Sequence, residues 1–219
     1  MYNLTMPHFP FVTVVEDFAR CVFTSAFPKE LPFHNLNYTK EVVHTSLQIG
    51  CESHIGRDEM ELLLTAAWLQ SLGYAKHNQD PEQKSVEIAK VFFTGMQLEK
   101  ERVENIERTI RSTAPQEKPL SEVEKILHDA ILFYLASSDY SQYSEKLKNE
   151  IETNLNKTFT IKEWINWNIQ LLERHHFCTA YGKEVLEPKK IENLRRQKVC
   201  YKVYDDLTSH SVSWAKSWW

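Results

Sequence analysis

The residues of this chain best equipped for chemistry are scattered imidazoles, carboxylates and one guanidinium. Asp129 stands inside an apolar repeat formed by Val123, Ile126, Leu127, Ala130 and Ile131. That spacing buries one helix face, so the carboxylate needs an ion-pair or hydrogen-bond partner there. Its neighbour His128 points about 100° away on an ideal helix, a surface or second-layer position. His34 precedes a helical stretch and either ties the loop to the helix start or touches a bound phosphate. His77 lies in the loop before Asp80, within reach of a pocket but otherwise solvated. Arg111 closes an apolar helical stretch, where it is an anion contact or an exposed ion-pair residue. His175 and His176 are adjacent, so they cannot share a helix face as an i,i+4 metal pair does. Cys21, Cys51, Cys178 and Cys200 show no CxxC and no zinc-ribbon pairing with histidine, and read as reduced thiols.

These groups must be held by helices. With only 5 glycines and 8 prolines in 219 residues, the chain lacks material for the tight turns of an all-β fold. Helix starts recur instead. Asp58 with Glu61, Ser121 with Glu124, and Thr160 with Glu163 have capping-box spacing. Asp80-Pro81 sets a cap before proline, with Gln83 placed to reach back. Gly50, Gly73 and Gly95 fall where such helices stop and can take left-handed caps. The spacing predicts helices near 12–26, 38–50, 58–72, 81–95, 99–113, 121–136, 140–154, 160–176 and 178–186. Beyond them, Lys189, Lys190, Arg195 and Arg196 read as a solvated helix face, and Val199–Tyr204 as a short strand or extended arm. The last six residues hold Trp214, Trp218 and Trp219, a surface for docking on the chain itself, a second copy or a partner.

A hydrophobic content of 42% with 26% charged residues describes a globular chain. The formal net charge of -4 gives nucleic acid or an anionic membrane no global attraction. Met1-Tyr2-Asn3-Leu4 has no basic region followed by an apolar core, and no apolar run is long enough to cross a bilayer. The expectation is a cytoplasmic protein, with one domain over 1–198 and a Trp-rich tail over 199–219.

Several segments, in order, resemble the HD-domain superfamily of metal-dependent phosphohydrolases, in particular its small stand-alone bacterial members. Phe33-His34-Asn35-Leu36-Asn37-Tyr38 with Thr39–Val43 resembles the first motif, and Ala66–Tyr74 the helix end bearing the His-Asp doublet. Asp80–Ala89, with Ser85, is similar to the His-Glu-x-x-Ser segment, and Ile126–Leu132 to the helix with the final aspartate. Glu173–Thr179 and Glu187–Leu194 resemble the C-terminal helical pair. The resemblance covers about 12–198 and implies an all-α, HD-domain-like helical bundle with a C-terminal extension.

It also implies a divalent ion held by imidazoles and carboxylates, which activates water against a phosphoester. Here the positions of those ligands carry Tyr38, Gln70 and Ser71. Pro81 stands where the accessory histidine would be, and Ile131 where a second acid would be. Only Asp129 remains, too few ligands to displace the water of magnesium or manganese. The expected site is therefore a remnant pocket of His34, Tyr38, Gln70, Ser71 and Asp129, with Arg111, His77 and His128 as anion contacts. No cofactor or metal is expected. The expected function is a non-catalytic module that binds a nucleotide, another small phosphorylated ligand or a protein partner. The alternatives are an active phosphohydrolase rebuilt on His34, His77, His128 and Asp129, and an assembly module that self-associates through its tail.

Overall fold

The computed structural model describes residues 9–28, 31–76 and 80–215. Among them are nine α-helices and no strand, so the fold is all-α. They are α1 (Pro10–Ser25), α2 (Leu36–Glu52), α3 (Arg57–Leu69), α4 (Pro81–Phe93), α5 (Lys100–Arg111), α6 (Glu122–Ile131), α7 (Tyr140–Leu155), α8 (Ile161–Arg174) and α9 (Glu187–Ala215). Among the described residues no helix is long and apolar enough to cross a membrane. The chain divides into two compact units, one of residues 1–133 with 178–182, the other of 134–177 with 183–219.

In the first unit α3 is the axis. From Leu63 to Leu69 every residue is buried, and a helix apolar on all sides must be surrounded. It packs against α1, α2, α5 and α6. Its start lies earlier than the Asp58/Glu61 spacing suggests. The Glu59 carboxylate accepts from the Gly56 N–H at 2.9 Å, while Glu61 pairs with Arg102 at 2.8 Å. The boxes at Ser121/Glu124 and Thr160/Glu163 form as expected. The Asp80 side chain accepts from the Gln83 N–H at 3.1 Å, but the Gln83 side chain turns instead to Arg111.

None of the described glycines has positive φ, so the left-handed caps expected at glycine do not form. Asn156, at φ 47°, takes that role after α7. Gly73 is required for closeness: a Cβ there would lie 1.8 Å from the Pro81 carbonyl oxygen. Its N–H donates to Ser85 Oγ at 2.8 Å, and that hydroxyl donates to the Gln70 carbonyl at 2.7 Å. The first turn of α4 is thus seated on the 3-10 turn Leu72–Lys76.

The second unit is organised around buried polar groups. Asn168 Oδ1 accepts from the Tyr140 hydroxyl at 2.5 Å and the Ser144 hydroxyl at 2.9 Å, and its amide donates to the Trp164 carbonyl at 2.8 Å. Trp164 Nε1 donates to Ser144 Oγ at 3.0 Å. Burial pushes the Tyr134 and Tyr140 phenols well above their ordinary range, so both stay protonated. Lys190 corrects the solvated-face reading. It is 1% exposed, pairs with Glu187 at 2.6 Å and donates to the His175 carbonyl. Arg195 and Arg196 do lie outside, paired with Glu192.

The strand or extended arm expected at 199–204 is helix, because α9 runs unbroken from Glu187 to Ala215. The helix expected over 178–186 begins only at residue 180 and passes through the π-helical turn Gly182–Leu186 straight into α9. Trp218 and Trp219 lie outside the described residues, as does the Trp214 side chain.

Candidate functional site

The three helices that bear or lead into Tyr38, Gln70, Ser71 and Asp129, α2, α3 and α6, pack mutually. Asn35 caps α2 and accepts from the N–H groups of Asn37 and Tyr38. This fixes Tyr38, whose hydroxyl donates to the Ile131 carbonyl at 2.6 Å. Ile131 ends α6, so a phenol takes up a helix-end carbonyl that would otherwise lack a partner. The Ser71 and Thr39 hydroxyls meet at 2.7 Å, both fully buried. Gln70 is 6% exposed, and its amide nitrogen has no hydrogen-bond partner among the described residues. His34 stacks flat on Tyr74, ring centroids 3.7 Å apart at 10°, and meets Tyr38 edge-on. His77 lies outside the described residues.

Asp129 is completely buried, as its place in the apolar repeat requires. Its partners are not Gln70, Ser71 or Tyr38. Oδ1 accepts from the Cys178 N–H at 2.7 Å, and Oδ2 accepts from the Thr179 N–H at 2.9 Å and the Thr179 hydroxyl at 2.7 Å. Thr179 Oγ1 in turn accepts from the Gly182 N–H at 2.9 Å, the pattern of an N-cap. One carboxylate therefore clamps residues 178–182 to α6. Burial pushes the Asp129 carboxyl above the usual carboxylate range, against the pull of these three donors and of His128. His128 is half-buried, and desolvation lowers its pKa, which favours the neutral imidazole. Its Nδ1 lies 3.9 Å from Cys178 Sγ. Sequence reasoning missed Cys178 and Thr179. Nothing in the spacing of residues fifty positions apart pairs them with Asp129.

Arg111 lies elsewhere in the unit. It donates to Glu107 at 3.1 Å and Gln83 at 3.3 Å, on the rim of an open cleft of about 610 Å³ beside Arg108 and Lys118. Arg108 donates to the buried Glu124 at 3.1 Å. Burial pushes the Glu124 carboxyl up, but the N–H groups of Leu120 and Ser121 together with Arg108 outweigh it and hold it below the usual carboxylate range. A carboxyl with a lowered folded-state pKa contributes stability above its unfolded value, and that contribution fades as pH falls through the folded value. Glu124→Gln should therefore be less stable than the parent at pH 7, with the gap narrowing at pH 3. Urea titrations at the two pH values measure this.

A second open cleft, of about 670 Å³, lies between α3 and α5 and is lined by Asp58, Glu59, Glu61, Glu99 and Glu101 with Arg102. Its excess of carboxylates repels phosphate. Among the described residues the cysteines form no disulfide. No family model, curated protein or solved structure matches this chain.

Proposed function

We propose that this chain is a degenerate HD-like helical protein that does not hydrolyse phosphoesters and instead binds a small phosphorylated ligand or nucleotide at its Arg108–Arg111–Lys118 cleft. One contrast carries the reading. At the remnant motif positions the Tyr38 and Ser71 hydroxyls are committed to internal hydrogen bonds and the Asp129 carboxylate faces residues 178 and 179, whereas the Arg108 and Arg111 guanidiniums reach solvent. Magnesium or manganese would have to break those internal bonds and accept a phenol, a hydroxyl and an amide in place of imidazoles and carboxylates. The guanidiniums are steered by Glu107 and Glu124, which hold some of their donors and leave the rest for a bidentate phosphate contact.

A panel of nucleoside mono-, di- and triphosphates with added manganese should give no turnover above background. Turnover abolished by Tyr38→Phe or Asp129→Asn would end the non-catalytic reading. In calorimetric titrations with the same panel, at least one compound should bind, and Arg108→Ala with Arg111→Ala should weaken it at least tenfold. Binding unaffected by that pair would remove the cleft from consideration.

A second reading, assembly through the C-terminal region, is favoured by the exposed side chains of Val199, Val203 and Leu207. They form an i,i+4 stripe along α9, 62%, 51% and 68% exposed. Light scattering on Val199→Lys with Leu207→Lys tests it: a fall in molecular mass supports assembly, and an unchanged monomer rejects it.

A further inference from the structure

We propose that His128, Asp129 and Cys178 form a site for one zinc-like divalent ion, which fastens residues 178–182 to α6. It shares Asp129 with the non-catalytic reading but does not depend on phospholigand binding, and it uses neither the arginine cleft nor Tyr38, Gln70 and Ser71.

Among the described residues, these three offer an imidazole nitrogen, a carboxylate oxygen and a sulfur that all lie within 4.8 Å of one another. Of these, His128 Nδ1 and Cys178 Sγ lie 3.9 Å apart. An ion bonded to nitrogen at about 2.0–2.1 Å and to thiolate at about 2.3 Å holds those atoms roughly 3.6 Å apart at a tetrahedral angle. Closing the pair on an ion therefore takes a movement of a few tenths of an ångström. The thiol is half-buried, and no disulfide fixes its position.

The donor set selects the ion. A thiolate and an imidazole suit zinc, cobalt(II) and their neighbours, whereas magnesium and calcium require a shell of oxygens. The carboxylate is already oriented. Oδ2 takes two donors from Thr179, while Oδ1 accepts only the Cys178 N–H and keeps a lone pair for an ion. Ligating carboxylates are typically hydrogen-bonded in this way, which fixes their direction. His128 and Asp129 are adjacent on α6, and Cys178 comes fifty residues after His128. One ion would thus close a long loop at a point where the chain is already clamped. Partial exposure of His128 and Cys178 leaves the fourth position to water. Binding is balanced by one proton: the thiol loses it to solvent as the sulfur–metal bond forms, and imidazole and carboxylate contribute lone pairs.

The test uses the full chain, chelator-stripped and kept reduced with a phosphine, titrated with cobalt(II) as the probe. One equivalent should produce a sulfur-to-cobalt charge-transfer band with tetrahedral d–d bands. Cys178→Ser should abolish the charge-transfer band, and His128→Ala should weaken binding at least tenfold. The triple variant Cys21→Ser, Cys51→Ser, Cys200→Ser should keep the band, so the assignment to Cys178 stands even if Cys178→Ser folds poorly. Zinc at a hundredfold excess over its Kd should raise the parent melting temperature by about 5–10 °C and leave Cys178→Ser unmoved. Absence of the band in the parent, or its loss in the triple variant, overturns the proposal.

Discussion

Asp129→Ala is expected to lower the unfolding free energy by about 3–5 kcal/mol, the largest loss from any single polar substitution in the first unit. The carboxylate receives three donors, and at Thr179 both the N–H and the hydroxyl are buried. A buried donor left without its acceptor costs about 1–3 kcal/mol. Part of the total is recovered because a carboxylate that burial disfavours has been removed. For a chain of this size the loss corresponds to a fall in melting temperature of roughly 6–20 °C. Asp129→Asn should recover little, since one side-chain oxygen becomes an N–H facing N–H donors. Thr179→Val on its own should cost less, because the backbone N–H groups keep their acceptor. In the Asp129→Ala background it should cost less still, since the hydroxyl has already lost its partner. Differential scanning calorimetry of the parent, Asp129→Ala, Thr179→Val and their double variant gives the coupling directly. A ligand-facing carboxylate behaves in the opposite way. Its removal relieves strain or unpaired charge and leaves the empty protein as stable or more so. An Asp129→Ala protein that melts at or above the parent temperature would refute the clamp.

Gly73→Ala should cost about 3 kcal/mol or more. The new methyl would lie 1.8 Å from the Pro81 carbonyl oxygen and 2.8 Å from the Ser85 amide nitrogen, both backbone atoms. Overpacking against side chains costs about 1–3 kcal/mol because side chains can turn aside, and backbone atoms here cannot. Relief requires α4 to withdraw from the 3-10 turn, which also stretches the Gly73–Ser85–Gln70 hydrogen-bond relay. Gly50→Ala is the internal control. Its methyl meets Met60 Cε at 2.7 Å, the far end of a flexible side chain, and helix propensity favours alanine by about 1 kcal/mol. That variant should be near neutral. Guanidinium denaturation of the two proteins, and protease sensitivity around residues 73–85, read the difference. Equal midpoints for Gly73→Ala and the parent would mean that α4 does not sit on this turn as described.

The sequence by itself determined the elements. Apolar spacing of three and four, capping boxes at Ser121 and Thr160, and Asp80 before Pro81 are local signals, and each acts within one or two helical turns. They were enough to make the chain all-α and to bury Asp129. Local reading failed where local preference was overruled. Val199–Tyr204 has the β-branched and aromatic content of a strand, yet it lies in the middle of α9. Gly73 looks like a helix cap because a glycine after an apolar helix usually is one, but here the absence of a side chain serves another segment. Lys190 looks solvated because a run of basic residues usually is, yet Glu187 and the His175 carbonyl give its ammonium buried partners.

Tertiary structure alone decided what the polar residues do. Asp129 needed a partner, and a buried carboxylate is satisfied equally well by any donor that the fold presents. The donors it found, in Cys178 and Thr179, come from far along the chain, and no periodicity carries that information. Tyr38 and Ser71 likewise meet Ile131 and Thr39 only because α2, α3 and α6 pack together. Burial is a one-body property, written in the residue and its neighbours a turn away. Pairing is a two-body property, and it exists only once the helices have packed.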